Sequence, residues 1–175
     1  PAERRGRAGA STARTAPTVP LSSVEDAARA GRRPLSADQE QAIAKVAVSA
    51  RLLDVLVGPA GAGKTTTMNA LRRAWEPRYG PGSVLGLAPS AAAAAVLADD
   101  LKIPTENTAK WLYEHRLGTW NLKARQLVII DEASLAGTLT LDAITAHAGT
   151  VGAKVLLVGD WAQLAAVDAG GAFGM

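Results

Sequence analysis

From Leu35 onward, short aliphatic runs alternate with longer segments in which apolar residues recur every three or four positions. Leu52, Leu53, Val55, Leu56 and Val57 form the first run, which reads as a strand buried on both faces. Residues 84–88, 127–130 and 155–158 are further runs of the same kind. Between and around them, residues 38–50, 65–75, 91–101, 105–116 and 139–148 carry helical spacing. Ala109, Leu112 and Tyr113 share one face of the fourth of these. The helix from 65 is expected to stop before Pro77, because proline lacks an N–H and restricts the residue ahead of it. Aliphatic strands separated by helices predict an α/β domain with a mainly parallel sheet covered by helices on both faces. In such sheets ligands bind at the carboxyl ends of the strands.

The first 34 residues differ in character. Residues 1–20 are rich in Arg, Gly, Ala, Ser, Thr and Pro with few large apolar side chains, and are expected to be disordered. Ser22-Ser23-Val24-Glu25 offers a capping box for a short helix over about 23–30, with Gly31 as its stop. Arg32-Arg33-Pro34 then separates this leader, 1–34, from the domain proper, 35–175.

Charge sharpens that division. Residues 1–34 hold seven Arg against three acids, a net of +4, whereas 35–175 hold twelve basic and thirteen acidic residues, a net of −1. A basic leader can neutralise nucleic-acid phosphates, and it can equally be a solvated linker. No apolar run reaches the eighteen or so residues of a membrane helix. The absence of cysteine excludes a disulfide framework and thiolate metal sites, and fits a cytoplasmic location.

The candidate chemistry lies at the strand ends. Gly58-Pro59-Ala60-Gly61-Ala62-Gly63-Lys64-Thr65 fits G-x-x-x-x-G-K-[ST], with a strand before it and a helix after it, as a phosphate-binding loop requires. The glycines let backbone N–H groups, including those up to Thr66, face phosphate oxygens at the positive end of the following helix. Lys64 reaches the β- and γ-phosphates, and the Thr65 hydroxyl binds Mg²⁺.

The third strand ends in Asp131-Glu132. Burying two adjacent carboxylates is costly without a cation, and nucleotide-bound Mg²⁺ supplies one. Asp131 would hold the metal while Glu132 orients and deprotonates the attacking water. Gly159-Asp160-Trp161-Ala162-Gln163 closes the fourth strand and places Gln163 where it could sense the γ-phosphate.

Ser36-Ala37-Asp38-Gln39 has two readings. Ser36 and Gln39 form a capping box, or the Gln39 amide reads adenine N6 and N7. His115 and His147 lack metal-ligand spacing and read as structural residues. Trp111 and Trp120 read as packing residues before stacking platforms.

In their order along the chain these segments resemble the motifs of superfamily 1 helicases. Leu35–Gln39 is similar to the Q motif, 58–65 to motif I, 88–93 to motif Ia, 131–134 to motif II and 159–164 to motif III. The G-D-x-x-Q-L form of the last resembles the RecD-like branch, whose members move 5′ to 3′. The segments Thr105-Glu-Asn-Thr-Ala-Lys-Trp-Leu and 161–173 resemble the helicase region of TraI/TrwC-type (MobF) conjugative relaxases.

This resemblance implies a RecA-like P-loop NTPase motor domain, the first of two, using ATP and Mg²⁺ to act on single-stranded DNA. It implies adenine recognition by Gln39, phosphate and metal binding by Lys64 and Thr65, and Mg²⁺ binding by Asp131. Glu132 becomes the general base and Gln163 the γ-phosphate sensor, and Ser90 and Thr108 lie near the DNA backbone.

A relaxase nicks DNA with a tyrosine and a histidine-cluster metal site. Neither Tyr79 nor Tyr113 lies in such a setting, so that activity is expected upstream of these residues. The second RecA-like domain and its arginine finger are expected beyond Met175. An arginine finger contributes on the order of 10³ to 10⁵ in rate, so these residues alone are expected to hydrolyse ATP slowly and to unwind nothing. The alternative is a non-hydrolysing nucleotide- or DNA-binding module that recruits a DNA-transfer apparatus. The complete set of Lys64, Asp131 and Glu132 argues against that alternative.

Overall fold

The computed structural model describes residues 15–31, 34–59 and 61–160. Five strands, β1 (Leu53–Val57), β2 (Val84–Ala88), β3 (Thr105–Asn107), β4 (Leu127–Ile130) and β5 (Lys154–Gly159), form one sheet. Every pairing is parallel and the spatial order is β1-β5-β4-β2-β3. Parallel neighbours need crossovers, supplied by α3 (Lys64–Tyr79), α4 (Ala91–Leu101), α5 (Thr108–Arg116) and α6 (Thr138–Val151). Two further helices, α1 (Leu21–Arg29) and α2 (Ala37–Val48), precede the sheet.

Strand side chains alternate between two cores. Leu127, Ile129, Leu156 and Val158 face one core with Ile43, Met68, Leu71 and Trp75 of α2 and α3. Val128, Ile130 and Val155 face the other, with Trp111 of α5 and Ile144 and Ala148 of α6. The expected α/β architecture, a parallel sheet covered on both faces, is the one observed.

β1 departs from its expected environment. Leu53, Val55 and Val57 are exposed, at 37%, 56% and 44%, while Asp54 and Leu56 between them are half-buried. β1 pairs only with β5 among the described residues, and the second core does not extend over it. Among the described residues, one of its faces therefore lacks the cover that an aliphatic run suggests.

The helix expected over 105–116 is split. Thr105–Asn107 pair in parallel with Gly86, Leu87 and Ala88, and α5 starts at Thr108 with Asn107 as its cap. The Asn107 side chain accepts the Lys110 N–H at 2.8 Å, which fixes that boundary. Gly86 permits the pairing, since a Cβ there would lie 2.5 Å from Thr105 Oγ1.

α3 runs through Pro77 to Tyr79, past its expected stop. Tertiary anchors hold the last turns. The fully buried Trp75 donates its indole N–H to Arg125 O at 3.0 Å, and the Tyr79 hydroxyl donates to Thr18 O at 2.6 Å.

The segment expected to be disordered up to residue 20 lies against the domain from residue 15. Ala16 N–H donates to Ala50 O, Val19 N–H donates to Ala47 O, and Val19 is 1% exposed. α1 begins at Leu21 behind Pro20, with no side-chain cap, so the Ser22–Glu25 box does not form its boundary. Val24 and Ala27 bury α1 in the first core.

Candidate nucleotide-binding site

The glycine-rich loop joins the end of β1 to α3 over the tips of the strands. Gly58 N–H donates to Gly159 O at 3.3 Å, so the loop's first residue is tied to the tip of β5. Gly61 and Gly63 have φ of 79° and 76°, the left-handed region that favours glycine. Gly63 caps α3 with backbone alone, because no side chain bonds the first-turn N–H groups. A 16-residue helix thus presents its positive end at Lys64, Thr65 and Thr66.

Lys64 turns back onto this loop. Its ammonium donates to Gly58 O at 2.6 Å and to Pro59 O at 3.2 Å. Thr65 and Thr66 are half-buried, and Thr67 is buried with its hydroxyl donating to Gly63 O. Behind the loop lies a cavity of about 270 Å³, lined by Gln39, Leu56, Gly58, Ala62, Lys64 and Thr67 among others.

Asp131 stands at the tip of β4, its N–H donating to Leu87 O and its Oδ1 accepting the Glu132 N–H at 2.9 Å. Burial pushes its carboxyl above the usual carboxylate range. The Glu132 N–H and the Lys64 ammonium oppose that push, and Asp100 adds to it. Asp131 follows β4 and Lys64 opens α3 directly after the β1 loop, so both stand at the carboxyl ends of strands. A partly buried carboxylate with a threonine hydroxyl is a hard oxygen donor set that fits Mg²⁺, which takes its remaining ligands from phosphate and water. Glu132 is exposed, with φ of 47°, ahead of a 3₁₀ turn over Ala133–Leu135. A left-handed φ is uncommon for a residue other than glycine and ends the β4 conformation at this position.

Gln39 forms both halves of the capping box. Its N–H donates to Ser36 Oγ at 3.3 Å, and Ser36 N–H donates to its Oε1 at 2.9 Å. Its Nε2 also donates to Ala62 O at 3.1 Å, placing Gln39 against the loop. Sequence reasoning offered the cap and the base reader, and it did not foresee this loop contact, which joins residues 23 apart.

The DNA candidates separate. Ser90 is exposed and caps α4, its Oγ accepting the Ala93 N–H at 3.1 Å. Thr108 is the first residue of α5 and is buried at 5% exposure. Ala60 and Gln163 lie outside the described residues, as does the rest of the segment from Trp161.

His115 and His147 pack with Trp111 between α5 and α6. Trp111 and His115 stack at 5.0 Å, and the two imidazoles are 4.1 Å apart. Trp111 is fully buried.

A parallel α/β sheet with a glycine loop and an open helix N-terminus at its strand tips defines a P-loop NTPase domain of the RecA-like kind. The chain belongs to the AAA domain family, whose sequence model matches residues 34–175. Over 139 residues, 79% of this chain, it is 39% identical to the conjugal transfer protein TraA of Rhizobium radiobacter. It is 36% identical over the same length to the probable conjugal transfer protein TraA of Sinorhizobium fredii. The chain spans 12% of the length of each of these relatives. It is 33% identical over 166 residues to the RecBCD enzyme subunit RecD of Mycobacterium tuberculosis, spanning 28% of that protein. The solved UvsW helicase of bacteriophage T4 superposes with a TM-score of 0.59 at 15% identity, over 83% of this chain and 62% of that one, and shows the shared fold. The motif-based assignment to RecD-like helicase motor domains holds. No helix among the described residues is long and apolar enough to cross a membrane.

Proposed function

We propose that this domain binds ATP with Mg²⁺ on the 58–65 loop as the first motor domain of a 5′-to-3′ single-stranded-DNA translocase in conjugative DNA transfer. The observation that carries the nucleotide reading is the loop itself: Gly61 and Gly63 in the left-handed region lead into the uncapped N-terminus of α3, with the Lys64 ammonium folded back on Gly58 O and Pro59 O. The α3 N–H groups would bind β-phosphate oxygens, and Lys64 would exchange Gly58 O and Pro59 O for the β- and γ-phosphates. Thr65 and Asp131 would hold Mg²⁺, which neutralises charge on the phosphoryl oxygens. Glu132, exposed beside Asp131, would accept a proton from the attacking water. Gln39 would face the adenine and Gln163 the γ-phosphate. Ser90, exposed at the start of α4, and Thr108, at the start of α5, would lie near the DNA backbone.

The conjugative setting is supported by the similarity to TraA proteins, and the polarity by the G-D-x-x-Q-L form of residues 159–164, which resembles the RecD-like branch. A nicking domain, a transfer apparatus and a second RecA-like domain are the partners this reading implies.

The test is calorimetric titration of ATP, with and without Mg²⁺, into wild type and Lys64→Ala. Hydrogen bonds to a charged group contribute about 1.5–3 kcal/mol each, so Lys64→Ala is expected to weaken binding at least about tenfold. Equal affinity in the two proteins would remove the site assignment.

A further inference from the structure

We propose that Gln39 is a positioning residue for the phosphate-binding loop, acting on phosphate binding whatever base is attached. The proposal rests on the 58–65 loop being a triphosphate site, and it adds a role distinct from reading adenine.

Both ends of the Gln39 amide are engaged. Oε1 accepts the Ser36 N–H at 2.9 Å, within the cap of α2, and this orients Nε2 toward the loop, where it donates to Ala62 O at 3.1 Å. In a trans peptide the C=O and the following N–H point in opposite directions. With Ala62 O drawn toward Gln39, the Gly63 N–H is turned away from it, and the 62–63 peptide plane is fixed. Seating is close. A Cβ on Gly63 would lie 2.3 Å from Gln39 Nε2, so only glycine admits the side chain, and the same residue holds φ of 76° and caps α3.

The consequence concerns the site before any base arrives. A loop that binds phosphate through backbone N–H groups needs each peptide plane oriented in advance. Gln39 supplies this for the last plane before α3. Ser36 and Ala62 take one lone pair of Oε1 and one N–H of Nε2, so the amide keeps one acceptor and one donor, and holding the loop does not require that a base be bound.

The test measures binding of ATP, GTP and inorganic tripolyphosphate to wild type, Gln39→Ala and Ser36→Ala. Ser36→Ala removes the Oγ cap of the same helix while keeping the backbone N–H that orients Gln39. If Gln39 positions the loop, Gln39→Ala weakens all three ligands by a similar factor, about threefold to tenfold, the range one net hydrogen bond supplies. Ser36→Ala then leaves all three affinities at the wild-type value while lowering the thermal midpoint. Loss confined to ATP would overturn the proposal in favour of base reading alone. Equal losses in both variants would overturn it in favour of a cap that only stabilises α2. Wild type that binds none of the three would instead overturn the nucleotide site itself. Should Gln39→Ala fail to fold, Gln39→Met keeps the side-chain length without the donor and is expected to give the same pattern.

Discussion

Lys154→Met tests a fully buried charge, the one ionisable side chain that is buried among the described residues. Lys154 is 0% exposed at the start of β5, with its Nζ 2.7 Å from Asp54 Oδ2 of β1. It also donates to Ser49 O at 2.6 Å and Arg51 O at 2.9 Å. The Asp54 contact is charge on charge, since no donor is well aligned on that oxygen. One ammonium therefore clamps the turn between α2 and β1 to the sheet, beneath the strand that carries the phosphate loop.

Methionine fills similar volume but leaves Asp54 and two carbonyls without their cation. Breaking a buried pair costs about 3–5 kcal/mol. The Asp54 side chain keeps 13% exposure, so water offsets part of that and the lower end, about 3 kcal/mol, applies. For a chain of this length 1 kcal/mol moves the midpoint by about 2–4 °C, which gives a drop of about 6–12 °C in a thermal melt followed by circular dichroism. Lys154→Met with Asp54→Leu removes both charges and should recover most of the loss, because apolar replacement of a buried pair is close to neutral. A single variant melting within about 2 °C of wild type, or a double variant no better than the single, would refute the clamp.

Two pH dependences follow from the same kind of accounting. Burial raises the Asp131 carboxyl, and Mg²⁺ needs the carboxylate, so Mg²⁺-dependent ATP affinity should fall on acidification at a higher pH than an ordinary aspartate would give. Calorimetry between pH 8 and pH 4.5 should show this decline in wild type, and a flat profile over that range would contradict it. Burial, and then His115, push the His147 imidazole below its ordinary value. The unfolded chain then takes up a proton more readily than the fold, so stability holds above about 6.5 and falls as pH drops through it. His147→Leu should flatten that acid slope in thermal melts, and an unchanged slope would assign the loss to other groups.

The sequence by itself determined whatever is local. The 58–65 loop is contiguous, and its glycines, lysine and threonine announce a phosphate site without reference to the rest of the chain. Ser36 and Gln39 cap α2 because a box needs only residues three apart, and four aliphatic runs became strands close to their expected bounds. Asp131-Glu132 was legible as a strand-end pair for the same reason.

Tertiary structure decided what depends on distant partners. β1 has the sequence of a central strand, yet among the described residues it stands at one end of the β1-β5-β4-β2-β3 order with Leu53, Val55 and Val57 exposed. Thr105–Asn107 carried helical spacing and became a strand because β2 offered a free edge and Gly86 allowed the approach. Pro77 was overridden by the anchors of Trp75 and Tyr79. Lys154 meets Ser49 across 105 positions, and Gln39 meets Ala62 across 23. Periodicity and spacing report the face a residue presents. They carry no record of which distant group comes to lie against it.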